Sequence, residues 1–213
     1  YRKVSIISVE KSHFDLDYYG GPGIKVTPIL DGTTANVETE AFVTNGQAGQ
    51  KLRYTIKDAE GNVLETKELG VEETKTSFEI KDVHRWNGVK DPYLYTAEIE
   101  LVDGEEVIDK VSTRFGCREF AIDPEKGFFL NGVSYPLHGV SRHQDRWGIG
   151  NALLPEHHEE DIELIMELGA NTIRLAHYQH DQYFYDLCDE KGLVIWAEIP
   201  YISNHMPTGR ENT

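Results

Sequence analysis

Polar side chains recur directly behind short apolar segments in the second half of the chain. The segment 138–145 carries two histidines and an aspartate, Arg174 is followed by His177 and His180, and Glu198 follows the apolar run 193–197. Imidazole, guanidinium and carboxylate groups gathered on one rim suit hydrogen bonding to hydroxyl-rich ligands and the orientation of a carboxylate. These segments are therefore the candidate chemistry of the chain.

Each candidate also has a structural alternative. A histidine after a strand is often a satisfied structural residue, and Arg174 can simply pair with a carboxylate. Glu198 has the chemistry of an acid or base, but catalysis by paired carboxylates requires a second one, and the sequence offers no convincing candidate. His177 and His180 lack nearby carboxylates that would complete a metal site, so no metal is expected. Spacing alone indicates an α/β unit with a polar rim.

The first 120 residues have the pattern of short strands separated by turns. Alternation of apolar and polar residues is seen in 35–39, 52–56, 77–80 and 95–101, and turn residues occupy 58–62 and 103–104. Several such strands without a helical stripe between them predict an antiparallel, immunoglobulin-like β-sandwich over 1–120.

Past Pro124 the pattern changes to strand, helix, strand, helix, strand. The predicted elements are a hairpin of Phe128–Leu130 with Val133–His138, a helix Pro155–Leu168, a strand Thr172–Ala176, a helix from Asp181 to Gly192 and a buried strand Leu193–Ala197. His157 and His158 are expected at a solvated helix start. This order is typical of a parallel sheet.

Chain length limits how much of a barrel is present. Only 93 residues follow Phe120, whereas a (β/α)8 TIM barrel needs about 200 or more. Residues 121–213 therefore form either a small open α/β unit or an incomplete barrel, namely its first three strands and two helices.

Composition restricts the partners. With 21 basic and 37 acidic residues the net charge is −16, which argues against nucleic acid and anionic membranes as partners. The two cysteines, Cys117 and Cys188, are expected to be buried thiols. No apolar stretch reaches the roughly 20 residues of a membrane helix. Because the chain starts at Tyr1 rather than Met, we expect the natural N terminus to lie upstream, so a cytoplasmic and a periplasmic location both stay open.

Several segments resemble, in order along the chain, sequences of glycoside hydrolase family 2. Phe129–His143 is similar to that family's asparagine-glycine hairpin followed by glycine-valine-asparagine-arginine-histidine, and Gly169–Tyr178 to its asparagine-x-x-arginine-x-x-histidine-tyrosine segment. Asp186–Leu193 resembles the run that follows. Upstream, Trp86 with Asp91–Tyr95, and then Phe115–Glu119, resemble the end of the family's immunoglobulin-like domain.

The resemblance implies a retaining β-galactosidase whose two catalytic glutamates lie on later barrel strands, so this chain contains no catalytic residue and is expected to be inactive alone. It also implies that His143 and His177 contact the sugar, that Arg174 orients the nucleophile, and that Asp145 matches an acidic residue of the glucuronidase branch. Ser141 departs from the usual asparagine. The segment 198–200 replaces the acidic metal-binding pattern of the best-known β-galactosidases, so no cofactor is expected in this chain, and a divalent cation elsewhere in the parent protein is an alternative that the resemblance only weakly supports.

Two other interpretations stay open. One keeps the family but changes the substrate to a β-glucuronide or β-mannoside. The other is a non-catalytic, immunoglobulin-like binding module with a short α/β appendage. Whichever sugar the enzyme takes, three barrel strands expose a parallel edge at Leu193–Ala197. Such edges recruit partners, so we expect a homo-oligomer.

Overall fold

The computed structural model describes residues 4–199, which form two compact units. Of the described residues, one unit comprises 6–86 and 93–119, and the other comprises 4–5, 87–92 and 120–199. The sequence predicts two domains that meet at residue 120. This division into independently folding domains stays a prediction. Within the described range, no helix is both long enough and apolar enough to cross a bilayer.

The first unit is an antiparallel sandwich. Its strands are β1 His13–Phe14, β2 Ile24–Asp31, β3 Thr34–Ala41, β4 Val43–Thr44, β5 Lys51–Lys57, β6 Val63–Gly70, β7 Lys75–Ile80, β8 Tyr95–Asp103 and β9 Glu106–Phe115. One sheet has the order β2-β3-β7, the other β6-β5-β8-β9, and β1 pairs with β4.

Alternation along the strands builds the core of this sandwich, as predicted. Val37 pairs across the sheet with Phe78, and Tyr54 pairs with Ile99; all four side chains are buried. The sequence did not predict how the strands divide between the sheets. Strand β6 pairs with β5 and so belongs to the sheet of β5, β8 and β9, which leaves three strands in the sheet of β2. In constant-type immunoglobulin domains the sheet that contains the first two strands has four strands and the other has three.

Two motifs singled out in the sequence meet at one end of the sandwich. The backbone N–H of Trp86 donates to the carbonyl of Cys117 at 3.0 Å, and the Arg118 guanidinium lies 4.8 Å from the centre of the indole ring. The hydroxyl of Tyr95, at the start of β8, accepts the N–H of His84 at 2.9 Å. This contact resembles the tyrosine corner of immunoglobulin-like domains.

The second unit combines a small antiparallel sheet with an α/β segment. Its elements are a 3-10 turn Gly88–Lys90, β10 Phe120–Asp123, β11 Gly127–Leu130, β12 Val133–Ser134, β13 Gly139–Arg142, α1 Pro155–Glu167, β14 Thr172–Leu175, α2 Gln182–Lys191 and β15 Val194–Ala197. Strands β10, β11 and β12 form the small sheet, and β13, β14 and β15 form a parallel sheet in that order.

The position of the first parallel strand differs from the prediction. The sequence predicts Val133–His138 both as the hairpin partner of Phe128–Leu130 and as the first strand of the strand-helix order, but only Val133–Ser134 is a strand, and it pairs with β11 in the hairpin. The parallel strand is Gly139–Arg142, which pairs with β14. Its glycine and arginine hide it from a search for apolar runs, because the arginine takes a position that normally holds an apolar residue.

The two helices begin and end where the sequence predicts. Pro155 opens α1, and Gly169, with a φ of 74°, follows its last turn. The Asp181 side chain accepts the N–H of Tyr183 at the start of α2, and Gly192 ends α2 in the left-handed conformation with a φ of 76°. Cys188, on α2, is a buried free thiol, as is Cys117 in the sandwich.

The helices cover only one face of the parallel sheet. Ile173 and Leu175 are buried in the apolar cluster that α1 and α2 share with this sheet. Ser141, Arg174 and Trp196 lie side by side in register on adjacent strands and are exposed, so they form a row on the opposite, open face. The prediction that β15 is buried on both faces is wrong, because no described element covers this row.

Close contact between strands fixes the start of the sheet. A Cβ atom added to Gly139 would lie 2.0 Å from the carbonyl oxygen of Thr172, so no side chain fits there. Asn171 hydrogen-bonds on both sides: its Oδ1 accepts the N–H of His138 at 2.8 Å, and its carbonyl accepts the N–H of Val194 at 3.0 Å. One asparagine therefore links the beginnings of β13 and β15.

We expect Gly139→Ala to lower the free energy of unfolding of the second unit by about 3 kcal/mol or more, because the strands must separate to admit the methyl group. Amide hydrogen exchange of β14 measures this effect. The control is Ser141→Ala on the same strand, whose exposed side chain predicts a change within about 0.5 kcal/mol. Equal protection in the two variants would contradict the packing argument.

We also expect chain 1–213 to self-associate, since β15 pairs only with β14 among residues 4–199 and its other edge offers unpaired backbone groups. Light scattering should show a mass above that of the monomer. Lys substituted for the exposed Trp196 should reduce association. A monomer with slow amide exchange throughout residues 170–199 would rule out the idea, and with it the proposed homo-oligomer contact at this edge.

Candidate active site

The candidate residues follow the carboxyl ends of three adjacent parallel strands. His143 comes directly after β13, His177 two residues after β14 and Glu198 directly after β15. Because the strands are parallel neighbours, their carboxyl ends share one edge, which is where α/β folds place their ligands. Arg174 lies within β14 on the open face.

Glu198 holds two of the predicted residues together. Its Oε1 accepts a hydrogen bond from Arg174 Nε at 2.5 Å, and its Oε2 lies 2.7 Å from His177 Nδ1. A single carboxylate with one oxygen for each partner fixes both side chains at the rim. The structural alternative weighed for Arg174, pairing with a carboxylate, is therefore present, and it places the arginine within the site.

The hydrogen-bond geometry also fixes the tautomer of His177. Arg174 Nη2 approaches the same Nδ1 atom at 3.3 Å, but the Glu198 contact is shorter and joins the ring to a charged acceptor. We therefore assign the proton to Nδ1, which donates to Glu198. This assignment leaves Nε2 of His177 for a ligand.

The Glu198 carboxylate is held in its ionised form. Hydrogen bonds from His177 and then from Arg174 lower the pKa of the Glu198 carboxyl below its usual range. A carboxylate that stays charged and is engaged by two donors is poorly suited to donate a proton. The interpretation of Glu198 as a general acid therefore loses support, and its role is to hold Arg174 and His177.

His143 joins this group, whereas Asp145 stands apart. The rings of His143 and His177 lie edge to face with centroids 5.3 Å apart. Asp145 is exposed in the loop after β13, and among residues 4–199 no hydrogen bond or ion pair links it to the other three predicted residues. Trp147 in the same loop is 100% exposed and Trp196 is 67% exposed, so both present free aromatic faces.

The two loops that carry the histidines are tied to each other through Gln144. Its backbone N–H donates to the Tyr178 hydroxyl at 3.1 Å, and its side-chain Oε1 accepts the N–H of Asp181 at 2.5 Å. Gln144 is buried. The loop after β13 is thus fixed against the loop after β14, a contact that spacing along the chain did not indicate.

A cluster of polar side chains lies behind the site, on the helix side of the sheet. Arg142 pairs with Asp161 at 2.7 Å and contacts the Nδ1 atoms of His158 and His180. His158 is only 2% exposed, so its predicted place at a solvated helix start is wrong. It shares the buried stripe of α1 with Ile162 and Ile165, a periodicity that identifies it as an inward-facing residue.

The residue types at the rim suit a hydroxyl-bearing ligand. Imidazole nitrogens accept or donate single hydrogen bonds, and the exposed indoles offer flat faces that stack on apolar ring surfaces. Within the part of the chain that the structure describes, no group of three or more His, Cys, Asp or Glu side chains is placed to hold a metal ion.

Comparison with known proteins identifies the class of both units. The sandwich matches the family model "Glycosyl hydrolases family 2" over residues 22–118, and the second unit matches "Glycosyl hydrolases family 2, TIM barrel domain" over residues 121–213. A β-glucuronidase of Bacteroides fragilis is 37% identical over 211 residues, which cover 95% of this chain and 30% of that protein.

Solved structures agree with these matches. The FMN-binding β-glucuronidase from Faecalibacterium prausnitzii L2-6 is 46% identical with a TM-score of 0.87, and a putative β-galactosidase from Bacteroides fragilis is 38% identical with a TM-score of 0.86. In each case the match covers 90% of this chain and 30% of the other. The chain belongs to glycoside hydrolase family 2. It spans about 30% of the length of each of these three relatives.

The buried His158 predicts a pH-dependent stability. Burial and then the charge of Arg142 lower its pKa, against the smaller opposing effects of Asp181 and Asp161; His157 acts in the same direction as Arg142. Because the pKa is lower in the folded state, the unfolded chain takes up the proton first. The contribution of neutral His158 to the free energy of unfolding is therefore fully present above about pH 6.5. It is lost as the pH decreases toward the lower pKa of His158 in the folded state.

Chemical unfolding of chain 1–213 at pH 7.5, 6.5 and 5.5 measures this loss. His158→Asn keeps an acceptor close to the position of Nδ1 but cannot titrate, so its stability should fall less than that of the wild type over this range. His13→Asn, at a partly exposed position of the sandwich, is the control and should behave as wild type. The same fall in all three proteins would assign the pH dependence to other groups.

Proposed function

We propose that this chain provides the supporting sandwich and the opening strands of the catalytic barrel of a retaining β-glycosidase, with its polar rim forming one wall of the sugar site. The observation that carries the proposal is the convergence of Arg174, His177 and Glu198 at the carboxyl ends of adjacent parallel strands. In (β/α)8 enzymes this end of the strands holds the active site.

Each residue of the rim has a separate role in this proposal. His143 and His177 hydrogen-bond sugar hydroxyls, His177 through the Nε2 atom that Glu198 leaves unused. Arg174 keeps one edge of its guanidinium on Glu198 and directs its remaining donors at a carboxylate contributed by a later strand. Glu198 positions both side chains before the sugar arrives, which reduces the ordering required on binding.

Retaining hydrolysis also needs groups that the described residues do not supply. The reaction uses a nucleophile and an acid/base whose carboxyl groups lie about 5 Å apart. The lowered pKa of Glu198 does not suit a general acid, and its two oxygens are engaged by Arg174 and His177 instead of being available for attack, so we assign it neither role. Both catalytic glutamates are expected beyond residue 213, and chain 1–213 alone is expected to be inactive.

The names of the relatives divide between two sugars. β-Glucuronidases from Bacteroides fragilis and Faecalibacterium prausnitzii are 37% and 46% identical, and Asp145 resembles an acidic residue of that branch. These matches favour a β-glucuronide. The β-galactoside expected from the sequence is the second candidate, supported by a 38% identical putative β-galactosidase structure and by a 32% identical β-galactosidase of Bacteroides ovatus.

We expect the full-length protein to cleave an aryl β-glucuronide faster than the β-galactoside and β-mannoside. The sugar should be released with its β configuration, as seen by proton NMR within the first turnovers. His177→Ala and Arg174→Ala should each lower kcat/KM by about 100-fold or more, because each removes a preorganised hydrogen-bonding group.

Arg53→Ala serves as a control in the sandwich, where Arg53 forms ion pairs with Glu68 and with the partly buried Glu100; its kcat/KM should stay within about twofold. Faster cleavage of the β-galactoside would select the second candidate. Failure to cleave all three glycosides, or an inverted product, would overturn the proposed function.

A further inference from the structure

Arg142 is a buried cation that contacts four side chains on the helix side of the sheet. It is 6% exposed. Nε and Nη2 contact Asp161 Oδ2 at 2.8 and 2.7 Å, Nη1 lies 3.1 Å from His180 Nδ1 and Nη2 lies 3.0 Å from His158 Nδ1. The guanidinium carbon lies 3.8 Å from the centre of the Phe184 ring.

These contacts fix the protonation of His180. A guanidinium has only donors, so Nδ1 of His180 accepts, and the proton of the neutral ring is on Nε2. That Nε2 atom lies 3.2 Å from the carbonyl oxygen of Ala176, to which it donates. The ring is 3% exposed, so water does not compete for either nitrogen.

Both polar groups of Ala176 are therefore connected to Arg142. The N–H of Ala176 donates to the Arg142 carbonyl at 3.0 Å, and its carbonyl is connected to the Arg142 guanidinium through His180. Ala176 is buried and directly precedes His177. The main chain just before His177 is thus hydrogen-bonded to Arg142 and to His180, whose side chains lie on the helix side of the sheet.

We propose that Arg142 and His180 are positioning residues that fix His177 in the sugar site. The Arg142 carbonyl holds the N–H of Ala176, and His180, which is bound to the Arg142 guanidinium, holds the carbonyl of Ala176. The proposal rests on the proposed glycosidase function of the rim. It separates His180 from His158, because both rings contact the same guanidinium but only His180 reaches Ala176. His158 is therefore a matched control for every effect that comes from the buried cluster as a whole.

Two substitutions of His180 divide its contacts. His180→Asn keeps an acceptor near Nδ1 for Arg142 and loses the donor to Ala176, whereas the longer His180→Gln restores a donor near Nε2. In the full-length protein, we expect His180→Asn to lower kcat/KM by about 100-fold, the cost of misplacing a substrate-binding group by about 1 Å. His180→Gln should recover most of this loss, and His158→Asn should cost less than about threefold.

A double-mutant cycle shows whether His180 acts through His177. If it does, adding His180→Asn to His177→Ala should change kcat/KM by less than about threefold, since the positioned ring is already gone. Full additivity of the two losses would overturn the proposal. Equal losses in His180→Asn and His158→Asn would also overturn it, because they would point to a general effect of the cluster.

Amide exchange tests the same contacts without requiring catalysis. In chain 1–213 the Ala176 amide should exchange about tenfold faster in His180→Asn than in the wild type, and at the wild-type rate in His158→Asn. If the full-length protein cleaves no glycoside while this difference is present, the proposed function fails and the positioning contact stands. The Ala176 N–H donates to the Arg142 carbonyl and not to His180, so an unchanged rate in His180→Asn would show that the His180 contact does not fix this segment and would overturn the proposal.

Discussion

A guanidinium in a nearly dry interior must have its donors satisfied, because an unpaired buried cation costs several kcal/mol. Arg142 occupies such a position, and its neighbours follow from this requirement. Asp161 supplies the countercharge, His158 and His180 supply acceptors, and Phe184 supplies an aromatic face. Helices α1 and α2 are thereby held to the first strand of the sheet by directional contacts in addition to apolar packing.

Side-chain alternation then separates two kinds of polar chemistry on one short sheet. Arg142 and Leu175 are aligned and point toward the helices, while their neighbours Ser141 and Arg174 are aligned on the open face. A shift of one residue in the register of β13 would exchange the buried cation with the exposed serine. The same register therefore determines both the packing of the helices and the composition of the rim.

Local signals in the sequence predicted the elements well. Pro155, Asp181 and Gly192 marked helix ends because caps depend on the residue itself and its immediate neighbours. The strand Gly139–Arg142 was missed because its inward residue is charged, and the pairing of β6 with β5 was missed because sheet partners are set by contacts between distant segments. His158 was assigned to solvent although its spacing from Ile162 and Ile165 places it on the buried face of α1.

The candidate site was only partly predictable. The positions of His143, Arg174 and His177 follow from their place after or within short strands, and the structure brings them together, with Asp145 apart. The role of Glu198 requires knowledge that its carboxylate reaches both Arg174 and His177, which are 24 and 21 positions away in the chain. Such a contact depends on the strand order, which the local sequence does not encode.

The hydrogen bonds of the two buried histidines also restrict proton transfer from the helix side of the sheet to the rim. Both nitrogens of His180 are occupied, one by Arg142 and one by the Ala176 carbonyl, and Nδ1 of His158 faces the same permanent cation. Neither ring can relay a proton from the helix side without losing a contact to Arg142. The polar cluster on the helix side therefore acts as a fixed support of the rim and not as a route for protons to it.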